Sequence, residues 1–90
     1  MRITMLYRPK SEHAGRVEDY VKEYHRRHPE RLIKLLDVDT RQGENIAKLY
    51  GVVRYPALLV SANDGALIDL WQDEQLPLMS ELDFYTRAVI

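Results

Sequence analysis

The 90-residue chain contains no cysteine. That absence excludes disulfides, thiolate-bound zinc and thiol nucleophiles, and it removes the usual clue to redox compartment. Neither sign of charge prevails: thirteen Lys and Arg stand against fourteen Asp and Glu, for a formal net charge of -1. No global field therefore favours nucleic acid or an anionic membrane, and any binding must be local. No apolar run approaches the ~20 residues of a membrane helix, and the start, Met1 to Pro9, has too short an apolar stretch for a signal peptide. A cytoplasmic location is the expectation. No repeat, linker or low-complexity segment interrupts the chain. What is present is 46% apolar and 30% charged, the balance of a folded soluble domain. A chain of 90 residues allows one domain over 1–90, burying about two-thirds of its unfolded surface in one shared core.

Ile3 to Tyr7 is a short β-prone run stopped by Pro9, which predicts a first strand. Val17, Tyr20, Val21 and Tyr24 then recur at helical spacing until Pro29, so an amphipathic helix is expected from Ser11 or Glu12, with Ser11 as N-cap. Gly15 weakens that helix by roughly 1 kcal/mol relative to Ala. Leu32 to Val38 reads as a second strand. Asp39 or Thr40 caps a second helix that carries Ile46, Leu49 and Tyr50 inward and ends at Gly51. Ala57 to Val60 and Ala66 to Trp71 flank Asn63-Asp64-Gly65, a hairpin signal. Pro77 fits a first helical position, with Leu78, Met79, Leu82, Tyr85 and Val89 forming a last amphipathic face. The order βαβαββα implies an α/β fold, a four-stranded mixed sheet with helices on both faces.

The segment Tyr50-Gly51-Val52-Val53-Arg54-Tyr55-Pro56-Ala57-Leu58-Leu59-Val60 resembles the part of the thioredoxin family in which a Tyr-Gly-Val helix end leads to a cis-proline and an apolar strand. Asp37-Val38-Asp39 before it and the Asn63-Asp64-Gly65 hairpin after it fit the same family at the expected separations, so the resemblance covers nearly the whole chain. It implies the thioredoxin fold and a cis Tyr55–Pro56 peptide bond. It also places Ser11-Glu12-His13-Ala14 where the family carries its Cys-x-x-Cys pair, with Met5 in place of the buried acid that assists proton transfer. Both sulfurs are absent, so the resemblance implies the fold without thiol–disulfide chemistry.

Ser11 has two readings, a helix cap or a hydroxyl that activates a bound thiol as in glutathione transferases, which share the implied fold. His13 beside it suggests a base and nucleophile pair, yet no orienting carboxylate is evident, and helical side chains two apart do not face each other. His25 and His28 lie three apart, expected on the exposed side of the first helix; two imidazoles without a third ligand do not make a metal site. His25 to Arg31 is locally basic, with no interleaved aromatic for base stacking; it could dock an anionic partner, but reads first as a solvated helix end near the C-terminal dipole. Trp71 is expected partly in the core. Asp73 and Glu74 would repel the γ-glutamyl carboxylate of glutathione, although Arg8 and Lys10 could hold its other carboxylate.

The expected function is a non-catalytic domain that binds a protein or extended peptide near Ser11, His13, Ala14, Tyr55, Pro56 and Trp71, with no cofactor, metal, nucleic acid or membrane. The alternatives are a thiol-binding enzyme that uses Ser11 and a structural assembly module.

Overall fold

Every residue of Ala57–Ser61 is buried, as expected for a strand covered on both faces, and this strand organises the molecule. A computed structural model describes residues 1–73 and 76–87. Its elements are β1 (Arg2–Tyr7), α1 (Ala14–Arg27), β2 (Ile33–Asp37), α2 (Arg41–Tyr50), β3 (Ala57–Ser61), β4 (Leu67–Gln72) and α3 (Met79–Arg87). The sheet order is β2-β1-β3-β4. β1 pairs parallel with β2, β3 runs antiparallel to β1, and β4 runs antiparallel to β3. The mixed four-stranded sheet and the order βαβαββα are those read from the sequence.

The single core expected for a chain of this size is divided in two. On one face Met5, Ile33, Leu58 and Val60 pack with Val17, Val21 and Tyr24 of α1 and Leu82 of α3. On the other, Leu6, Leu36, Ala57 and Leu59 pack with Ala47 of α2 and with Val38 and Val52 beside it. Side chains alternate across each strand, so a sheet covered on both faces separates two apolar layers.

Several boundaries differ from the sequence reading. α1 begins at Ala14, and no side chain caps it. Ser11 is not the N-cap: its hydroxyl donates to the Arg8 carbonyl at 2.6 Å, in a turn that precedes the helix. Leu49 is 70% exposed, because the stripe of α2 that meets the sheet runs through Gly43 and Ala47 and leaves Leu49 beyond its edge. α3 begins at Met79, so Pro77 lies outside it, and its carbonyl accepts the Tyr20 hydroxyl at 2.8 Å. Leu78 caps that helix instead of joining its buried face: its N–H donates to Glu81 Oε1 at 3.1 Å, one half of a capping box, and its side chain is exposed. Val89 lies outside the described residues.

α2 matches its signals closely. Thr40 Oγ1 accepts the Gly43 N–H at 3.1 Å, and Gly51 closes the helix at φ 68°, a left-handed conformation natural to glycine. Gly43 itself is a contact residue. A Cβ there would stand 2.0 Å from the Asp37 carbonyl oxygen, so glycine is what lets α2 start against the end of β2.

Candidate functional site

Two loops meet at one end of the sheet, one between β1 and α1 and one between α2 and β3. The first is closed on itself by Arg8. Its carbonyl accepts the Ser11 N–H at 3.1 Å and the Ser11 hydroxyl at 2.6 Å, and its N–H donates to His13 Nε2 at 3.1 Å. A ring nitrogen that accepts a main-chain N–H carries no proton, so neutral His13 holds its proton on Nδ1. Partial burial, aided by the charges of Arg16 and Arg8, lowers the His13 pKa below its ordinary value.

The second loop runs from Val52, buried in the α2 layer, to Pro56, buried at the start of β3. The Tyr55–Pro56 peptide bond is cis. Gln72, at the end of β4, reaches across with its side-chain carbonyl and accepts the N–H of Val53 at 3.0 Å and that of Arg54 at 3.3 Å. The Arg8 guanidinium joins the two loops. It lies 5.2 Å from the centroid of the Tyr55 ring and 3.5 Å from Asp39.

Between the loops lies an open cleft of about 320 Å³ lined by Glu12, His13, Arg16, Tyr55, Pro56 and Asp73. Asp73 is the non-glycine residue with positive φ, 69°, among the described residues, and Arg54 stands 3.9 Å from its carboxylate. The lining is mostly polar, with charged residues of both signs; Tyr55 is its half-buried aromatic and Pro56 lies buried behind it.

His13, Tyr55 and Pro56, singled out in the sequence, therefore share one cleft. Ser11 does not line it; it faces a neighbouring hollow with Arg8, Pro9, Lys10, Asp37 and Asp39. Ala14 is 6% exposed and belongs to the interior. Trp71 is half-buried against the layer under α1 and α3, its ring edge-on to Tyr85 at 5.6 Å, and is not among the cleft's lining residues. Met5 is fully buried in the same layer. Asp73 does line the cleft, whereas Glu74 lies outside the described residues.

His25 and His28 are not on an exposed face. His25 Nε2 accepts the Ile33 N–H at 3.0 Å, tying α1 to β2, and His28 Nε2 meets Asp83 of α3 at 2.5 Å with the Tyr24 ring beside it. The two rings serve different neighbours. Among the described residues no group of three or more His, Asp or Glu could hold a metal ion.

The same architecture recurs in solved structures. Oxidised mitochondrial thioredoxin 3 of Saccharomyces cerevisiae matches with a TM-score of 0.69 over 96% of this chain and 76% of its own, at 17% identity. Thioredoxin 1 of Thermosipho africanus matches with a TM-score of 0.70 over 99% of this chain and 94% of its own, at 11% identity. This chain has the thioredoxin fold. Oxidised thioredoxin of Plasmodium falciparum gives the same picture, with a TM-score of 0.68 over 97% of this chain and 78% of its own, at 15% identity. Identities this low carry the fold and not the activity. No protein-family model and no curated protein matches the sequence.

On this thioredoxin fold the chemistry at the cleft is set by what the loop hydrogen bonds have consumed. With no cysteine, the chain has no sulfur of its own for disulfide exchange. Ser11 gives its hydroxyl proton to the Arg8 carbonyl, so that proton is not directed at a bound thiol. His13 has its basic nitrogen on the Arg8 N–H, so it is not poised to deprotonate Ser11. Among the described residues no helix is long and apolar enough to cross a membrane. Arg16, which lines the cleft, and Gln72, which reaches the Val53 and Arg54 N–H groups beside it, had no signal of their own in the sequence; each is an ordinary polar residue until the fold places it.

Proposed function

We propose that this thioredoxin-like domain is a redox-inactive binding module that takes an extended polypeptide segment across the cleft between His13 and Tyr55–Pro56. The observation that carries this reading is the backbone of Tyr55. Its N–H and C=O make no hydrogen bond to the described residues, while the N–H groups of Val53 and Arg54 before it are engaged and Ala57 after it enters β3. A main-chain donor and acceptor without a partner among the described residues, at the start of a paired strand, suit an extended segment, which satisfies both groups through its own backbone. The half-buried Tyr55 offers apolar contact beside it. Enzymatic thiol binding by Ser11 finds less support, since its hydroxyl proton is committed to Arg8.

The test is selection of binders from random cysteine-free decapeptides, followed by an amide-resolved NMR titration of the tightest. The amides of His13, Ala14, Tyr55 and Ala57 should shift more than those of His25 to Arg31. A contact this small, without a covalent intermediate, should give a Kd on the order of micromolar or weaker. Binders that perturb only the basic end of α1 and dissociate in moderate salt would replace this reading with an electrostatic one. Self-association in sedimentation that buries the exposed Leu49 and Val53 would favour an assembly role instead.

A further inference from the structure

The loop that presents Tyr55 has little of its own to hold it. Val53 is 77% exposed, and among the described residues Arg54 pairs with an exposed carboxylate, that of Asp73. Exposed ion pairs of this kind contribute at most about 1 kcal/mol. Between buried Val52 and buried Pro56, the main chain is therefore held chiefly from outside the loop. Gln72 supplies that hold. The β3–β4 register sets Gln72 opposite Ala57, the first residue of β3, and from there its half-buried side chain bridges to the two N–H groups preceding Tyr55. Both partners are donors, so the side-chain carbonyl, and not the NH2 group, must face them.

We propose that Gln72 is the positioning residue of the cleft: by accepting the Val53 and Arg54 N–H groups together it holds the Tyr55 backbone in the orientation that an incoming segment requires. This rests on the binding reading above and adds to it a residue that touches no ligand. The chemistry makes a specific demand on position 72: an oxygen acceptor on a side chain of this length. Glutamate meets it; leucine, of similar bulk, does not.

The test compares Gln72→Leu with Gln72→Glu by amide hydrogen exchange and by titration with the selected decapeptide. In Gln72→Leu the Val53 and Arg54 amides should exchange about tenfold faster while Leu58 and Val60 keep their protection, and peptide affinity should fall about five- to tenfold. Gln72→Glu should restore both, which a merely structural contribution of side-chain bulk would not do. Unchanged affinity in Gln72→Leu, with Val53 and Arg54 deprotected, would overturn the proposal, as would an equal loss of protection at Leu58 and Val60. If the wild-type cleft selects no peptide, the binding reading fails and takes the positioning role with it. The exchange data then decide the latch alone, and unchanged protection of Val53 and Arg54 in Gln72→Leu would refute that too.

Discussion

The main-chain N–H of Arg8 donates to Nε2 of His13 at 3.1 Å, so an imidazole closes the loop that precedes α1. The bond exists only while that nitrogen is unprotonated, which links loop geometry to the charge of one ring. The Arg8 guanidinium at the same time lies over Tyr55, so this loop also contacts the one that presents Tyr55 and Pro56.

His13 should titrate below the ordinary value near 6.5, because partial burial and then the charges of Arg16 and Arg8 oppose its protonation. The unfolded chain takes up the proton first. This contribution to stability is therefore fully present above about pH 6.5 and is lost as pH falls from there through the folded-state pKa. Nitrogen-15 NMR of the imidazole should place the midpoint below about 6.5, with the Arg8 amide shift following the same curve. Arg16→Ala should move the midpoint upward. A midpoint at or above about 6.5 in the wild type would contradict the environment described here.

The two helical glycines should respond to alanine with opposite signs. A Cβ at Gly15 meets nothing within 4 Å, so Gly15→Ala should stabilise α1 by about 0.5–1 kcal/mol. A Cβ at Gly43 would stand 2.0 Å from the Asp37 carbonyl oxygen, which is backbone and cannot rotate aside. Gly43→Ala should cost about 3 kcal/mol or more, lowering Tm by roughly ten degrees or more in a domain of this size. Thermal denaturation of the two variants checks both signs; equal shifts would show that α2 can move off β2 freely.

Ser11 and Ala14 should accept a disulfide. The Ala14 N–H donates to the Ser11 carbonyl at 3.3 Å, a one-turn relationship that brings the two Cα atoms within about 7 Å, inside the reach of a cystine. The double variant Ser11→Cys, Ala14→Cys should therefore form an intramolecular bond under mild oxidation, seen by mass spectrometry as the loss of two hydrogens. The thiol introduced at position 14 would be buried, since Ala14 is 6% exposed, so attack on it from solvent should be slow. Only intermolecular dimers or free thiols would refute the placement of this tetrapeptide at the start of α1.

The amino-acid sequence by itself determined the order of elements, because the signals that decide it are local. The apolar spacing of Val17, Val21 and Tyr24, the Thr40 cap, the left-handed Gly51 and the Asp64-Gly65 turn all act within a few residues and stand where the pattern put them. The resemblance around Tyr55-Pro56-Ala57 located one wall of the cleft for the same reason. The tertiary structure alone decided what the polar side chains with distant partners do. Gln72 meets Val53 nineteen residues away, His28 meets Asp83 fifty-five residues away, and Tyr20 meets the Pro77 carbonyl fifty-seven residues away. Ser11 turned back to Arg8 instead of capping α1, and glycine became a requirement at position 43 where α2 touches β2, because loop closure and the approach of α2 to the sheet settle which atoms are near. Hydrophobic periodicity reports which face of an element is buried. The partners of a long-range hydrogen bond depend on the direction of individual N–H and O–H groups in the assembled fold, and no local pattern encodes that.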